Sequence, residues 1–355
     1  MVQTDSNPSP ESAAPNPGYT YTCLEKSVLY PPLRKHLWAP AVPLLPASLS
    51  PNTMTLVGNG LAWAAFGMLL VLDPRQRLLF VVPALLNFLY LSLDNMDGIQ
   101  ARRVGRCSPL GEYLDHWFDA FIATMMVLGF GIATRLEPWI MLLAMAMISA
   151  TYFATFWEQH LARRVVFGRF GSIEAIVAIS LFYLAIALFG LEPVARTPRL
   201  AGFSLTSLCF ALVGLVSGCS VLAAMFRVGY RWGDFLPHVV VYGAGGLWFA
   251  LGQVPALAMG FLFMLAGAHL GGRLVMARVL EEKPRIGDPL LYGLILSAAV
   301  LSLGLDLGPR AQGLAALVPI AYLAARLLAD FNRTVGTLRS HLAPGELLAH
   351  LLPRL

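Results

Sequence analysis

Ten apolar stretches, each about 17 to 25 residues long, follow one another between residues 54 and 329. As helix, that length crosses the ~30 Å hydrocarbon core of a bilayer. A helix is also one of only two ways a chain can satisfy its backbone hydrogen bonds there. The stretches lie at 54–72, 78–100, 110–134, 138–158, 172–190, 201–226, 236–252, 254–277, 287–305 and 311–329. Only a tight turn fits around Gln253, so eight or nine crossings with one re-entrant piece is the alternative count. Charged residues make up 13% of the chain, about half the ~25% of a soluble domain, and mean hydropathy is +0.67. The expected fold class is an all-α integral membrane protein.

The basic residues orient it. Cytoplasmic ends are enriched in Lys and Arg. With the N-terminus in the cytoplasm, the outer loops hold Arg75, Arg77, Arg135, Arg196, Arg199 and Arg310, six of the 25 basic residues. Both termini are then cytoplasmic, as is the loop with Arg102, Arg103 and Arg106. The net charge of +5 is spread over helix ends and forms no basic tract, which argues against nucleic-acid binding. Cys23, Cys107, Cys209 and Cys219 lack metal-type spacing and imply no disulfide framework. Residues 1–20 are polar and rich in Pro and Ser, the composition of a disordered tail. Residues 29–52, with Leu33, Leu37 and Trp38 set against Arg34, Lys35 and His36, suit a short amphipathic helix in the membrane interface.

Against this background "DNMDGIQARRVGRCSPLGEYLDHWFD", residues 94–119, is costly, since each carboxylate at membrane depth is unfavourable by at least ~2.5 kcal/mol. Asp94, Asp97, Gly98 and Ala101 fall on one helical stripe, and Gly111, Asp115 and Asp119 on another. Ser108 followed by Pro109 marks an N-cap and first helical position just ahead of Gly111. Facing carboxylates stay ionised only beside cations; otherwise they take up protons. An all-oxygen set without cysteine favours Mg²⁺ or Mn²⁺ over Zn²⁺. Four carboxylates would neutralise two such ions, and paired metals are a recurrent device of phosphoryl chemistry. Gly98 and Ala101 leave room for a phosphate or a base beside the backbone.

The spacing D-x2-D-G-x2-A-R-x8-G-x3-D-x3-D resembles the signature of the CDP-alcohol phosphotransferases, and every fixed position is filled. "LDNMDGIQARR", "SPLGEYLDHWFD" and "SPNTMTLVG", and more weakly "FATFWEQH" and "ADFNRTVGTLRSHL", are similar to the choline and ethanolamine phosphotransferase branch. Departures are Trp117, where the branch has glycine, and Asn95 and Met96, where it has a small pair. Trp117 is expected to narrow the pocket beside the metals.

The resemblance implies a catalytic core at 53–190, after a tail at 1–20 and an interfacial segment at 21–52. Residues 191–330 would add helices forming the lipid-acceptor cavity and dimer contacts, and 331–355 a cytoplasmic tail. It implies transfer of phosphoethanolamine or phosphocholine from CDP-ethanolamine or CDP-choline to diacylglycerol, with release of CMP. Asp94, Asp97, Asp115 and Asp119 would hold two Mg²⁺ or Mn²⁺ ions. His116 would be the base, since an imidazole near pKa ~6.5 suits neutral pH, with Glu112 orienting it and Asp119 as the alternative base. Asn52, Thr55, Gly98, Ala101, Arg102 and Gly111 would border the nucleotide donor. Arg103 and Arg106 read as positive-inside anchors, Glu158 and Glu174 as edges of the donor pocket, and His269 and Arg273 as snorkelling side chains. Tyr113, Trp117, Tyr152 and Trp157 are candidates for an aromatic cage around choline. The competing readings are a phosphatidyltransferase using CDP-diacylglycerol and a small alcohol, and, from another class, a cation transporter.

Overall fold

In the computed structural model, residues 22–196, 199–200, 202–229 and 232–342 are described, so the expected N-terminal tail and most of the C-terminal one lie outside them. Ten long helices fill the ten expected stretches. They are α1 (Pro51–Val71), α2 (Val81–Val104), α3 (Pro109–Thr134), α4 (Pro138–Ala162), α5 (Ser172–Phe189), α6 (Leu205–Val228), α7 (Leu236–Leu251), α8 (Ala256–Val279), α9 (Pro289–Gly304) and α10 (Pro309–Thr337). Eight are long and apolar enough to cross a membrane, whereas α7 and α9 have 16 residues each, about 24 Å of helix. The protein is an integral, multi-pass, all-α membrane protein.

Local signals set several starts. Five helices (α1, α3, α4, α9 and α10) begin on a proline, whose missing N–H is not needed at that position. Gly105, at φ 66°, ends α2 in the left-handed conformation, and Ser108 then caps α3 by accepting from the Gly111 amide at 3.1 Å. Gln312 braces the short α7–α8 turn, accepting from the Gln253 amide at 2.9 Å and donating to the Leu307 carbonyl at 2.6 Å.

Helices α3 and α8 are the two most enclosed elements, and they pack on each other. Around them, α1 lies along both α2 and α3, α4 against α8 and α6, α5 on α2, and α7 and α10 on α8. Small residues permit the close approaches, as usual between membrane helices. A Cβ built on Gly267 of α8 would lie 2.8 Å from Ser149 Oγ and 2.9 Å from the Tyr242 hydroxyl. By contrast α2 and α3, although consecutive, make little direct contact.

The interfacial segment is a broken helix from Tyr30 to Leu44 that buries Trp38 and Val42 and exposes Lys35 and His36. Arg103 of α2 donates to the carbonyls of Val42 at 2.6 Å and Leu45 at 3.0 Å, and Gln100 to those of Pro46 and Leu49. Arg103 thus caps the orphan carbonyls where this segment ends, a role more specific than a charge at the membrane surface. Farther upstream, β1 (Thr22–Glu25) pairs in parallel with β2 (Arg164–Phe167).

Two expectations change here. His269 and Arg273 do not snorkel; they are 1% and 9% exposed within a polar network joining α8, α9 and α10. His269 Nε2 lies 3.2 Å from Asp288 Oδ2, and the Tyr322 hydroxyl donates to both oxygens of Asp288, which also caps α9 through the Leu291 amide. Arg273 donates to the Arg285 carbonyl at 3.0 Å and lies 3.4 Å from Asp330. The α8–α9 loop folds in between the helices, so these residues find protein partners and need not reach for water.

Candidate active site

Helix α2 carries the first half of the acidic motif and α3 the second. Asp97 is buried, and Asp94, Asp115 and Asp119 are half-buried. The carboxylate of Asp94 is within electrostatic reach of Asp97 and Asp119, so the two stripes do face each other. The Thr55 hydroxyl of α1 donates to Asp97 Oδ2 at 2.5 Å. The Tyr90 hydroxyl of α2 crosses to Asp119 Oδ1 at 3.1 Å, and Tyr152 of α4 lies within electrostatic reach of Asp119, Asp94 and Asp115. Tyr90 escaped the sequence reading because a tyrosine inside an apolar run carries no spacing signal.

The expected small residues and basic group fall beside the acids. A Cβ built on Gly98 would be 3.7 Å from Nη1 and 3.9 Å from Nη2 of Arg102, so that guanidinium folds back over the glycine. One built on Gly111 would lie 3.4 Å from Oδ1 of Asn52, which sets Asn52 at the start of α3. Ala101 is half-buried on the same stripe of α2.

His116 is 2% exposed, stacks on Phe156 with ring centroids 5.5 Å apart, and points Nε2 at Asp115 Oδ2, 3.8 Å away. Glu112, one turn earlier, is within electrostatic reach of the imidazole, as the i, i+4 spacing requires. Its anchors come from elsewhere. Gln159 Nε2 of α4 donates to Glu112 Oε1 at 2.6 Å, and Arg278 Nε of α8 lies 3.9 Å from the same oxygen. Gln159 also lies beside the His116 ring.

Residues expected at the donor pocket divide differently. Glu158 turns the other way from Gln159 and is held by Arg227 of α6 through contacts of 2.7 to 3.2 Å. Glu174 accepts from Ser27 Oγ at 2.5 Å and from the Gly171 and Leu29 amides, tying the N-terminal segment to α5. Both carboxylates are spent on fastening elements together. The four aromatic candidates do not form one cage. Tyr113 and Trp117 stack with Phe331, and Trp157 on Phe153, which leaves Tyr152 beside the acids. Trp117 does not narrow the acidic site as expected, because its indole packs over Gly272 of α8.

The arrangement brings together carboxylates of two helices, an arginine over a glycine, and a buried imidazole beside an acid. Residues 48–217 match the family described as CDP-alcohol phosphatidyltransferase, and that match, with the relatives below, supports a transferase of phospholipid synthesis. It is similar to cholinephosphotransferase 1 of Mus musculus, 26% identical over 78% of this chain and 68% of the relative. It is also similar to cholinephosphotransferase 1 of Gallus gallus, 32% identical over 57% of this chain and 62% of the relative. Choline/ethanolaminephosphotransferase 1 of Saccharomyces cerevisiae is 28% identical over 50% and 48%, respectively. The transferase assignment displaces the cation-transporter reading.

Enzymes of this family use divalent metals, and the donor set fits them. Four carboxylates with the Thr55 and Tyr90 hydroxyls offer only oxygen, the preference of hard cations such as Mg²⁺ and Mn²⁺. Among the described residues no three His, Cys, Asp or Glu side chains close around a single point.

Proposed function

We propose that this protein transfers phosphoethanolamine or phosphocholine from its CDP derivative to the hydroxyl of diacylglycerol, releasing CMP. The observation that carries this reading is that Asp94 lies within electrostatic reach of Asp97 on its own helix and of Asp119 on α3, with Arg102 over Gly98 beside them. The names of the relatives, cholinephosphotransferase and choline/ethanolaminephosphotransferase, supply the substrate class.

Each residue has a task in the chemistry. The lipid hydroxyl attacks the phosphorus that bears the alcohol; an oxygen–phosphorus bond forms there, and the bond to the CMP oxygen breaks. His116 Nε2 takes the hydroxyl proton, while Gln159 and Glu112 hold the ring. Arg102 donates to the diphosphate, and Gly98 and Gly111 let it approach the backbone. Asn52 lies where the donor enters, beside the start of α3. Asp94, Asp97, Asp115 and Asp119 would hold two Mg²⁺ or Mn²⁺ ions, which when bound neutralise the charge of the diphosphate. The site faces the cytoplasm, where soluble CDP-alcohols are found.

The test is to incubate purified protein in detergent with Mg²⁺ or Mn²⁺ and diacylglycerol, supplying CDP-choline or CDP-ethanolamine in parallel. CMP and the corresponding phospholipid are the expected products. Turnover of CDP-diacylglycerol with inositol, serine or glycerol phosphate alone would mean a phosphatidyltransferase instead.

A further inference from the structure

Arg278 sits near the C-terminal end of α8, beyond the residues that match the family, and is 7% exposed. Helix α8 packs along α3 and α4, the helices that carry His116, Glu112 and Gln159. All three are also buried, at 2%, 7% and 2% exposure. Arg278 Nε lies 3.9 Å from Glu112 Oε1 and makes no hydrogen bond among the described residues, so it serves Glu112 as a counter-charge held just beyond bonding distance. Glu112 Oε1 takes its short bond, 2.6 Å, from Gln159, which also lies beside the His116 ring. A buried carboxylate without a cation would draw in protons or water and turn its partners. The guanidinium supplies that charge from a part of the chain that contributes no residue to the acidic motif.

We propose that Arg278 is a positioning residue: through Glu112 and Gln159 it holds the imidazole of His116 in the orientation that accepts the lipid hydroxyl proton. The C-terminal helices therefore complete the catalytic site, and their part is more than enclosing the lipid. This inference rests on the proposed transferase reaction with His116 as base. If the wild-type protein turns over no CDP-alcohol, that reading fails; the variants below test Arg278 only once wild-type turnover is in hand.

The experiment measures kcat and the donor KM for wild type, R278M, R278K, E112Q and E112Q/R278M. R278M should lower kcat by about 100-fold while the donor KM stays within about three-fold, the pattern for an interaction that acts on the chemical step. R278K, which keeps the charge, should recover at least about ten-fold of that loss. Once Glu112 is neutral the cation has nothing to hold, so E112Q and E112Q/R278M should agree in kcat within about three-fold. A raised donor KM with unchanged kcat would make Arg278 a substrate contact and overturn the proposal. So would a kcat for R278M within about two-fold of wild type, or a further fall of about ten-fold from E112Q to the double variant. Should R278M not fold, the E112Q comparison decides alone. Failure of E112Q/R278M to fold where E112Q does would show a structural role independent of Glu112 and also overturn it.

Discussion

Thr55 of α1 donates a 2.5 Å hydrogen bond to Oδ2 of Asp97 on α2, so the helix ahead of the acidic motif fixes one oxygen of its most buried carboxylate. A hydrogen bond to a charged group contributes about 1.5 to 3 kcal/mol. Thr55→Val keeps the shape and removes the donor, and should lower kcat/KM by about ten- to 100-fold, whereas Thr55→Ser should stay within about three-fold of wild type. The measurement is initial-rate CMP release at saturating lipid. A valine variant as active as wild type would separate Thr55 from the site.

Removal of metal should abolish turnover. After chelation, activity should return with Mg²⁺ or Mn²⁺ and not with Zn²⁺, because every available donor is oxygen. Asp97→Asn should depress turnover by at least about 100-fold, since it removes both a charge and a ligand oxygen. Full activity in that variant would remove Asp97 from the ligand set.

Gly272 makes room for Trp117. A Cβ built there would lie 2.7 Å from Cδ1 and 2.8 Å from Nε1 of the indole, closer than real side chains come. The ring is packed between α8 and Phe331 of α10, with a centroid separation of 4.8 Å from Phe331, and cannot retreat easily. Gly272→Ala should destabilise the protein by about 1 to 3 kcal/mol, the usual effect of overpacking. A lowered thermal transition in detergent reads this out, and adding Trp117→Leu should restore part of it. An unchanged transition in G272A would show that the α8–α10 contact is loose.

Cys107 lies in the short loop between α2 and α3, and burial pushes its thiol above the ordinary range although nearby Arg102 pulls it down. The thiolate is the reactive form, so less of it is present at neutral pH than for a free thiol. In a background lacking Cys23, Cys209 and Cys219, maleimide labelling at pH 7 should be slower than that of a free thiol, and should rise as pH climbs through the raised pKa. A CDP-alcohol bound over Arg102 should slow it further. An impermeant reagent should reach Cys107 from the cytoplasmic side alone; labelling from the opposite side would invert the orientation.

The positions of the ten helices, the acidic stripes and the proline and serine helix starts were legible because they rest on local rules. Bilayer thickness sets the length of an apolar run, and helical periodicity decides which residues share a face. What depended on tertiary structure was every partnership across helices. "FWEQH" contains both Glu158 and Gln159, and neighbours on a helix point about 100° apart. One fastens α4 to Arg227 on α6, and the other reaches Glu112. Nothing local tells them apart. Tyr90, Arg278 and Gly272 likewise gain their meaning from elements up to 166 residues away in the chain, as for Arg278 and Glu112. His269 and Arg273 were misread for the same reason, since an isolated polar residue in an apolar run looks alike whether a loop folds in to meet it or not. The sequence by itself determined the class of protein and the acidic motif, because these follow from one helix at a time. The tertiary structure decided which polar groups hold the base and which merely hold the bundle, because burial in hydrocarbon forces each to find its partner on another helix.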